Sequence, residues 1–109
     1  EPGTDTEFRA RLAALLDRLL PGAPLRADSP LDGVQRLVVA GMMTHMCIDS
    51  TVRAAFDHGF ECVVPHDACA ARDQKFLDAT VPAAQVHASF MAALATRYAK
   101  VVGSAEVEI

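Results

Sequence analysis

Tryptophan is absent from this 109-residue sequence, tyrosine occurs once, and aromatic residues total only 6%. Any core must therefore rest on Val, Leu, Ala and Met rather than on large flat rings. Lysine is scarce as well, limited to Lys75 and Lys100. With 10 Lys and Arg against 14 Asp and Glu, the formal charge of −4 lacks the basic footprint that nucleic acid or an anionic membrane attracts. No apolar run approaches the roughly 18–20 residues of a membrane span. No Cys-x-x-Cys pair occurs, which excludes a zinc ribbon or a thioredoxin-type redox motif. The three cysteines, Cys47, Cys62 and Cys69, are odd in number and lack framework spacing. That usage points to a reducing, cytoplasmic setting rather than to a secreted disulfide scaffold. What is present is ordinary globular composition, 51% hydrophobic and 22% charged, which excludes disorder and a coiled coil. A chain of this length makes one domain and buries about two-thirds of its surface on folding.

Thr4-Asp5-Thr6-Glu7 has capping-box spacing, and Phe8, Leu12, Leu15, Leu16 and Leu19 follow at helical period. Pro21-Gly22 stops that helix, and residues 21–33, with three prolines and two glycines, read as a linker. Leu37-Val38-Val39-Ala40 is a continuous apolar run closed by Gly41, the pattern of a strand buried on both faces of a parallel sheet. A helix is expected from Thr44 to His58, with Thr44 as N-cap, Ile48, Val52, Ala55 and Phe56 as its apolar side, and Gly59 just past its end. Glu61 to Pro65 reads as a second strand and residues 66–81 as a loop. Pro82 suits the first position of another helix, whose stripe is Val86, Phe90, Met91 and Leu94. Lys100-Val101-Val102 makes a third strand. The order β-α-β-α-β implies an α/β fold: a partial doubly wound, Rossmann-like parallel sheet of about three strands with flanking helices, plus the N-terminal helix. Ligand sites in such sheets lie at the carboxyl ends of the strands, which directs attention to Gly41–Cys47 and His66–Asp73.

Cys47 is the sharpest candidate. It follows Thr44 by three residues, so it falls in the first turn of its helix, where unpaired N–H groups and the helix dipole favour a thiolate. The same amides can donate to an oxyanion formed beside the sulfur. The plainer alternative is a small buried side chain with no chemistry. Asp49, also in the first turn, opposes thiolate formation if its carboxylate faces the sulfur.

The stretch from Val39 to Phe60 resembles the isochorismatase-like cysteine hydrolases, a superfamily that includes nicotinamidases and related amidohydrolases. The likeness is carried by Gly41, Thr44, Cys47, Thr51, Arg53, Ala55, Gly59 and Phe60, and resumes at Asp67-Ala68. Val86-His87-Ala88 and Ala99 to Val102 look like the family's last helix and last strand. The resemblance implies a doubly wound fold with Cys47 as nucleophile, attacking an amide-type carbonyl of a small molecule through a thioester. It also implies an oxyanion hole from the backbone N–H groups of Met43 and Cys47, a cis Met42–Met43 peptide, and no metal or other cofactor in this chain.

The chain departs from the family upstream. Family members pair the cysteine with an Asp at the end of a first strand and a Lys before the central strands. No lysine precedes Cys47 here, and Asp5, Asp17, Asp28 and Asp32 follow no apolar strand. Residues 1–33 thus read as a helix and linker ahead of residues 34–109, the C-terminal part of the family domain. The missing partners come from a homo-oligomer or a complementing chain, or these residues are part of a longer enzyme, or else the protein is a truncated or degenerate relative acting as a binding or oligomerising module. Beside Cys47, Met42, Thr44 and His45 are candidates for pocket lining, His45 as a rim residue or as half of a Cys–His dyad. Asp67 is expected to hold loops by accepting backbone N–H bonds. Cys62 reads as core, Cys69 as core or as an approach to the site, His58 as a cation near a helix end, and His87 as a helix-face residue.

Overall fold

The computed structural model describes residues 35–108. The expected N-terminal helix and the linker lie outside the described residues. The apolar run opens as β1 (Arg36–Val38) and continues through Val39 and Ala40 into β2 (Gly41–Met42). A π-type turn over Thr44–Ile48 leads into α1 (Asp49–Asp57). Then come β3 (Glu61–Pro65), a 3-10 turn at His66–Ala68, and β4 (Cys69–Ala70). A hairpin of β5 (Gln74–Phe76) and β6 (Ala79–Val81) precedes α2 (Ala83–Arg97) and β7 (Lys100–Val102).

The main sheet has the order β1-β3-β7, all parallel, with Leu37 opposite Cys62 and Val64 opposite Val101. The expected β-α-β-α-β order is therefore the observed one. β3 is central, and from Cys62 to Pro65 it is buried, as a strand covered on both faces must be. Cys62 and Val64 face Ile48, Val52, Met91 and Leu94 of the helical layer. Val63 faces the other way, onto Ala68 and Val107 beside the half-buried Val38, Ala40 and Val102. The ladder runs on past the main strands. The Val39 N–H donates to the Val63 carbonyl at 3.0 Å, and β2 pairs with β4 in parallel, Gly41 opposite Cys69.

Three local expectations need correction. The helix after β2 is capped by Met43, not Thr44, its first turn is wider than an α-turn, and the Thr44 side chain is fully buried. Pro82 is the N-cap of α2 rather than its first residue, and the Ala83 N–H is taken by the Asp73 carboxylate at 2.8 Å. The segment 66–81 is not simply a loop: it holds β4 and the β5–β6 hairpin. That hairpin turns at Leu77 with φ +54, a left-handed conformation usually given to Gly or Asn, so the sequence carries no turn marker there.

The ends of the helices meet in a cluster of rings and cations. Phe56 and Tyr98 pack edge to face at 5.1 Å, and the Arg53 guanidinium lies 4.5 Å from the Tyr98 ring centre. On the other sheet face, the C-terminal segment is tied down by Asp67, which accepts the Ser104 N–H at 2.7 Å and the Ser104 hydroxyl at 2.9 Å. Burial pushes the Asp67 carboxyl up, but these two bonds, with a backbone N–H and nearby His66, outweigh it and hold it below the ordinary 3.8. A depressed carboxyl adds stability above its unfolded value and loses it as pH falls through the folded one. Denaturant titrations should find Asp67→Ala less stable by about 1–2 kcal/mol at neutral pH, the lower part of the range for a charged hydrogen bond because the site is partly solvated. The variant should also lose part of the acid slope that the parent shows below pH 3.8.

Candidate active site

β2 ends at the carboxyl side of the sheet, and the chain must turn sharply there to enter α1. Gly41 makes the turn possible with φ +132, a conformation L side chains rarely adopt, and the Met42–Met43 peptide is cis. The helical turn that follows is held at both its ends. Thr44, fully buried, opens it, and Ile48, 4% exposed, closes it in the core. Between them, Met46 and Cys47 point outward and are exposed. The Met43 carbonyl accepts the N–H of Met46 at 3.0 Å and of Ile48 at 3.3 Å, so the wide closure passes over the Cys47 N–H that lies between those two donors.

The three cysteines occupy three different environments. Cys47 is exposed, whereas Cys62 and Cys69 are buried. The Cys62 thiol is set against the Val52 carbonyl at 3.9 Å, and burial raises its pKa. Cys69 donates to the Pro65 carbonyl at 3.5 Å. Burial pushes its thiol up to about 11, with a hydrogen bond from the Gly41 backbone working against that and the Asp67 charge adding to it. Cys69 therefore lies beneath the β2 end as a core residue and does not reach the surface that Cys47 occupies.

The neighbours of Cys47 divide clearly. Asp49 does not leave its charge facing the sulfur unopposed: Arg53 Nε donates to both carboxylate oxygens at 3.0 and 3.1 Å. His45 stacks edge to face on Phe90, 6.0 Å between ring centres, and among the described residues neither of its ring nitrogens has a hydrogen-bond partner, so it forms no dyad bond with Cys47. Met42, 40% exposed, and Met46 line the surface around the thiol. Asp67 sits after β3 and binds Ser104 rather than reaching the cysteine turn. Among the described residues, no group of three or more His, Cys, Asp or Glu is arranged to hold a metal ion.

His87 lies on the buried face of its helix: it is 3% exposed, and its Nδ1 is 2.8 Å from the Thr44 hydroxyl. The pattern that would have found it is the spacing 87, 91, 94, which puts His87 on the buried stripe with Met91 and Leu94. A groove of about 440 Å³ opens at the opposite, amino end of the sheet, lined by Arg36, Glu61, Tyr98 and Lys100 among others. It is remote from Cys47, and in a parallel α/β sheet the carboxyl ends of the strands are where ligands bind.

Residues 25–106 match the isochorismatase domain. YddQ, an isochorismatase-family protein of Bacillus subtilis, is 56% identical over 70 residues, covering 64% of this chain and 39% of that protein. Streptothricin hydrolase of Streptomyces noursei is 37% identical over 90 residues, 76% of this chain and 33% of that one. The crystal structure of an isochorismatase from Pseudomonas putida aligns with a TM-score of 0.67 and 41% identity, over 70% of this chain and 39% of its own. The chain thus spans about two-fifths or less of the length of these relatives. With the domain match running through the sheet, the cysteine turn and both helices, the chain belongs to the isochorismatase family.

Proposed function

We propose that Cys47 is the nucleophile of a cysteine hydrolase that opens an amide-type C–N bond of a small molecule. The observation that carries this reading is the exposure of Cys47 at the carboxyl end of a parallel sheet, on a turn fixed in the core at Thr44 and Ile48, while Cys62 and Cys69 are buried. In the proposed reaction the Cys47 thiolate adds to the carbonyl carbon. The oxyanion is received by the backbone N–H groups of Met43 and Cys47. Collapse breaks the C–N bond, the amine leaves with a proton, and water then cleaves the thioester to release the acid and restore the thiol. Met42, Met46 and His45 line the place where the substrate sits. A relative that hydrolyses streptothricin supports a small-molecule substrate. The reaction takes place in the cytoplasm, where the thiol stays reduced.

A second reading has an observation of its own. No lysine precedes Cys47 in this sequence, Asp49 is paired with Arg53, and Asp67 is engaged with Ser104. On this reading the chain is a binding or oligomerising module. On the enzymatic reading, the base and lysine come from outside these 109 residues.

Two measurements separate these. At neutral pH, brief iodoacetamide treatment with peptide mass mapping should modify Cys47 and spare Cys62 and Cys69. Cys69, fully buried with its thiol pushed up to about 11, should stay unmodified until the chain is unfolded. Equal labelling of all three thiols at neutral pH removes the basis for the nucleophile. Amine release from streptothricin and from simple amides such as nicotinamide then tests catalysis. Turnover that drops at least about a thousandfold in Cys47→Ala supports the hydrolase. No turnover by the parent chain, alone or at concentrations where it self-associates, supports the module.

A further inference from the structure

Thr44 and His87 are 43 positions apart in the sequence, yet Thr44 Oγ1 and His87 Nδ1 are 2.8 Å apart with both residues buried. The hydroxyl donates when the imidazole carries its proton on Nε2, and the imidazole donates when the proton is on Nδ1. Either way the bond is shielded from water, where it is stronger and more directional than at the surface. It joins α2 to the first residue of the turn that carries Cys47.

The cost to that turn is visible. A threonine at this place commonly caps its own helix through its hydroxyl. Here Met43 is the cap, without a side-chain cap bond, and the turn closes from Ile48 and Met46 to the Met43 carbonyl. The Cys47 N–H is left outside that closure. An ordinary α-turn would direct the Cys47 N–H, four residues on, to the same Met43 carbonyl. The wide turn and the inward hydroxyl are thus one feature seen from two sides.

We infer that His87 is a positioning residue for Cys47: through Thr44 it holds the opening turn in the wide form that leaves the Cys47 N–H directed at a developing oxyanion. The inference rests on Cys47 being the nucleophile. His87 touches neither substrate nor sulfur; it acts through the backbone of the turn.

Two reagents discriminate this from a merely structural tie. p-Nitrophenyl acetate transfers its acetyl group to the Cys47 sulfur, releasing p-nitrophenolate, through a tetrahedral oxyanion. Iodoacetamide alkylates the same sulfur by displacing iodide, with no oxyanion formed. The readout is the ratio of the two rates at Cys47 in the 109-residue chain, followed by p-nitrophenolate absorbance and peptide mass, with a thermal melt for each variant. Thr44→Val, which keeps the shape and removes the hydroxyl, should lower the acylation-to-alkylation ratio roughly tenfold or more, by misaligning one oxyanion donor. His87→Leu should do the same. Thr44→Ser should restore the ratio to within about twofold, since the hydroxyl returns. Val101→Ala, a core substitution on β7, should lower the melting temperature and leave the ratio unchanged.

The failures are distinguishable. If the parent chain shows the same ratio as an unstructured peptide containing Met46-Cys47-Ile48, Cys47 has no oxyanion site, and both the proposed function and this inference fall. If the parent ratio is raised but is unchanged in Thr44→Val and His87→Leu, the inference alone falls. Loss of folding in both variants also overturns it, because the pair is then only a structural tie.

Discussion

The rest of the structure depends on the burial of one short strand on both its faces. β3 supplies Cys62 and Val64 to the helical side and Val63 to the other, and it pairs with β1 on one edge and β7 on the other. Full burial of a Val side chain is worth about 1.5–3 kcal/mol, so a few such residues outweigh every ion pair on this surface. The register of β3 also sets the site. Because Val63 stands opposite Val38 and the Val39 N–H reaches the Val63 carbonyl, the β1 chain is carried forward to Gly41 and Met42, alongside Cys69 and Ala70. The cysteine turn begins where that pairing ends.

The two sheet faces are finished by different means. On the helical side, apolar residues at spacing 48, 52, 55 meet Met91 and Leu94, and the helix ends are locked by Phe56, Tyr98 and Arg53. On the other side, among the described residues, a polar clamp helps hold the cover: Asp67 fastens Ser104, and Val107 packs onto Val63 and Ala68. The Asp49–Arg53 pair, four residues apart on one helix, contributes little to stability. Arg53 Nε donates to both Asp49 oxygens, so the carboxylate at the start of α1 is engaged within its own helix.

Strands were legible where composition leaves no choice. Glu61–Pro65 and Lys100–Val102 have the same bounds by pattern and by structure, since each is a short β-branched run with clear breaks. Misreadings occurred where tertiary contacts overrule local rules. Thr44 fits a cap by sequence, but His87, far along the chain, takes its side chain. A polar residue at a stripe position, such as His87, does not by its type announce burial. The hairpin carries no turn marker, because Leu77 adopts a left-handed φ without Gly or Asn. The cysteine turn was legible through resemblance in spacing, from Gly41 to Phe60, which encodes a backbone path rather than any single contact. The cis Met42–Met43 peptide that the resemblance implied is present.

That backbone path has a consequence for how the proposed site divides its work. Burial holds the Cys69 thiol up to about 11, while Cys47 stands exposed at a helix start. Under the proposed function, Cys47 is the reactive thiol because the backbone path delivers it to the surface and leaves Cys69 in the core. On the proposed reading the oxyanion donors are also backbone groups, so changes in Met42, Met46 or His45 can alter which substrate fits without removing them. Changes at Thr44, His87 or Gly41 act the other way: they leave the lining intact and disturb the path that sets the donors.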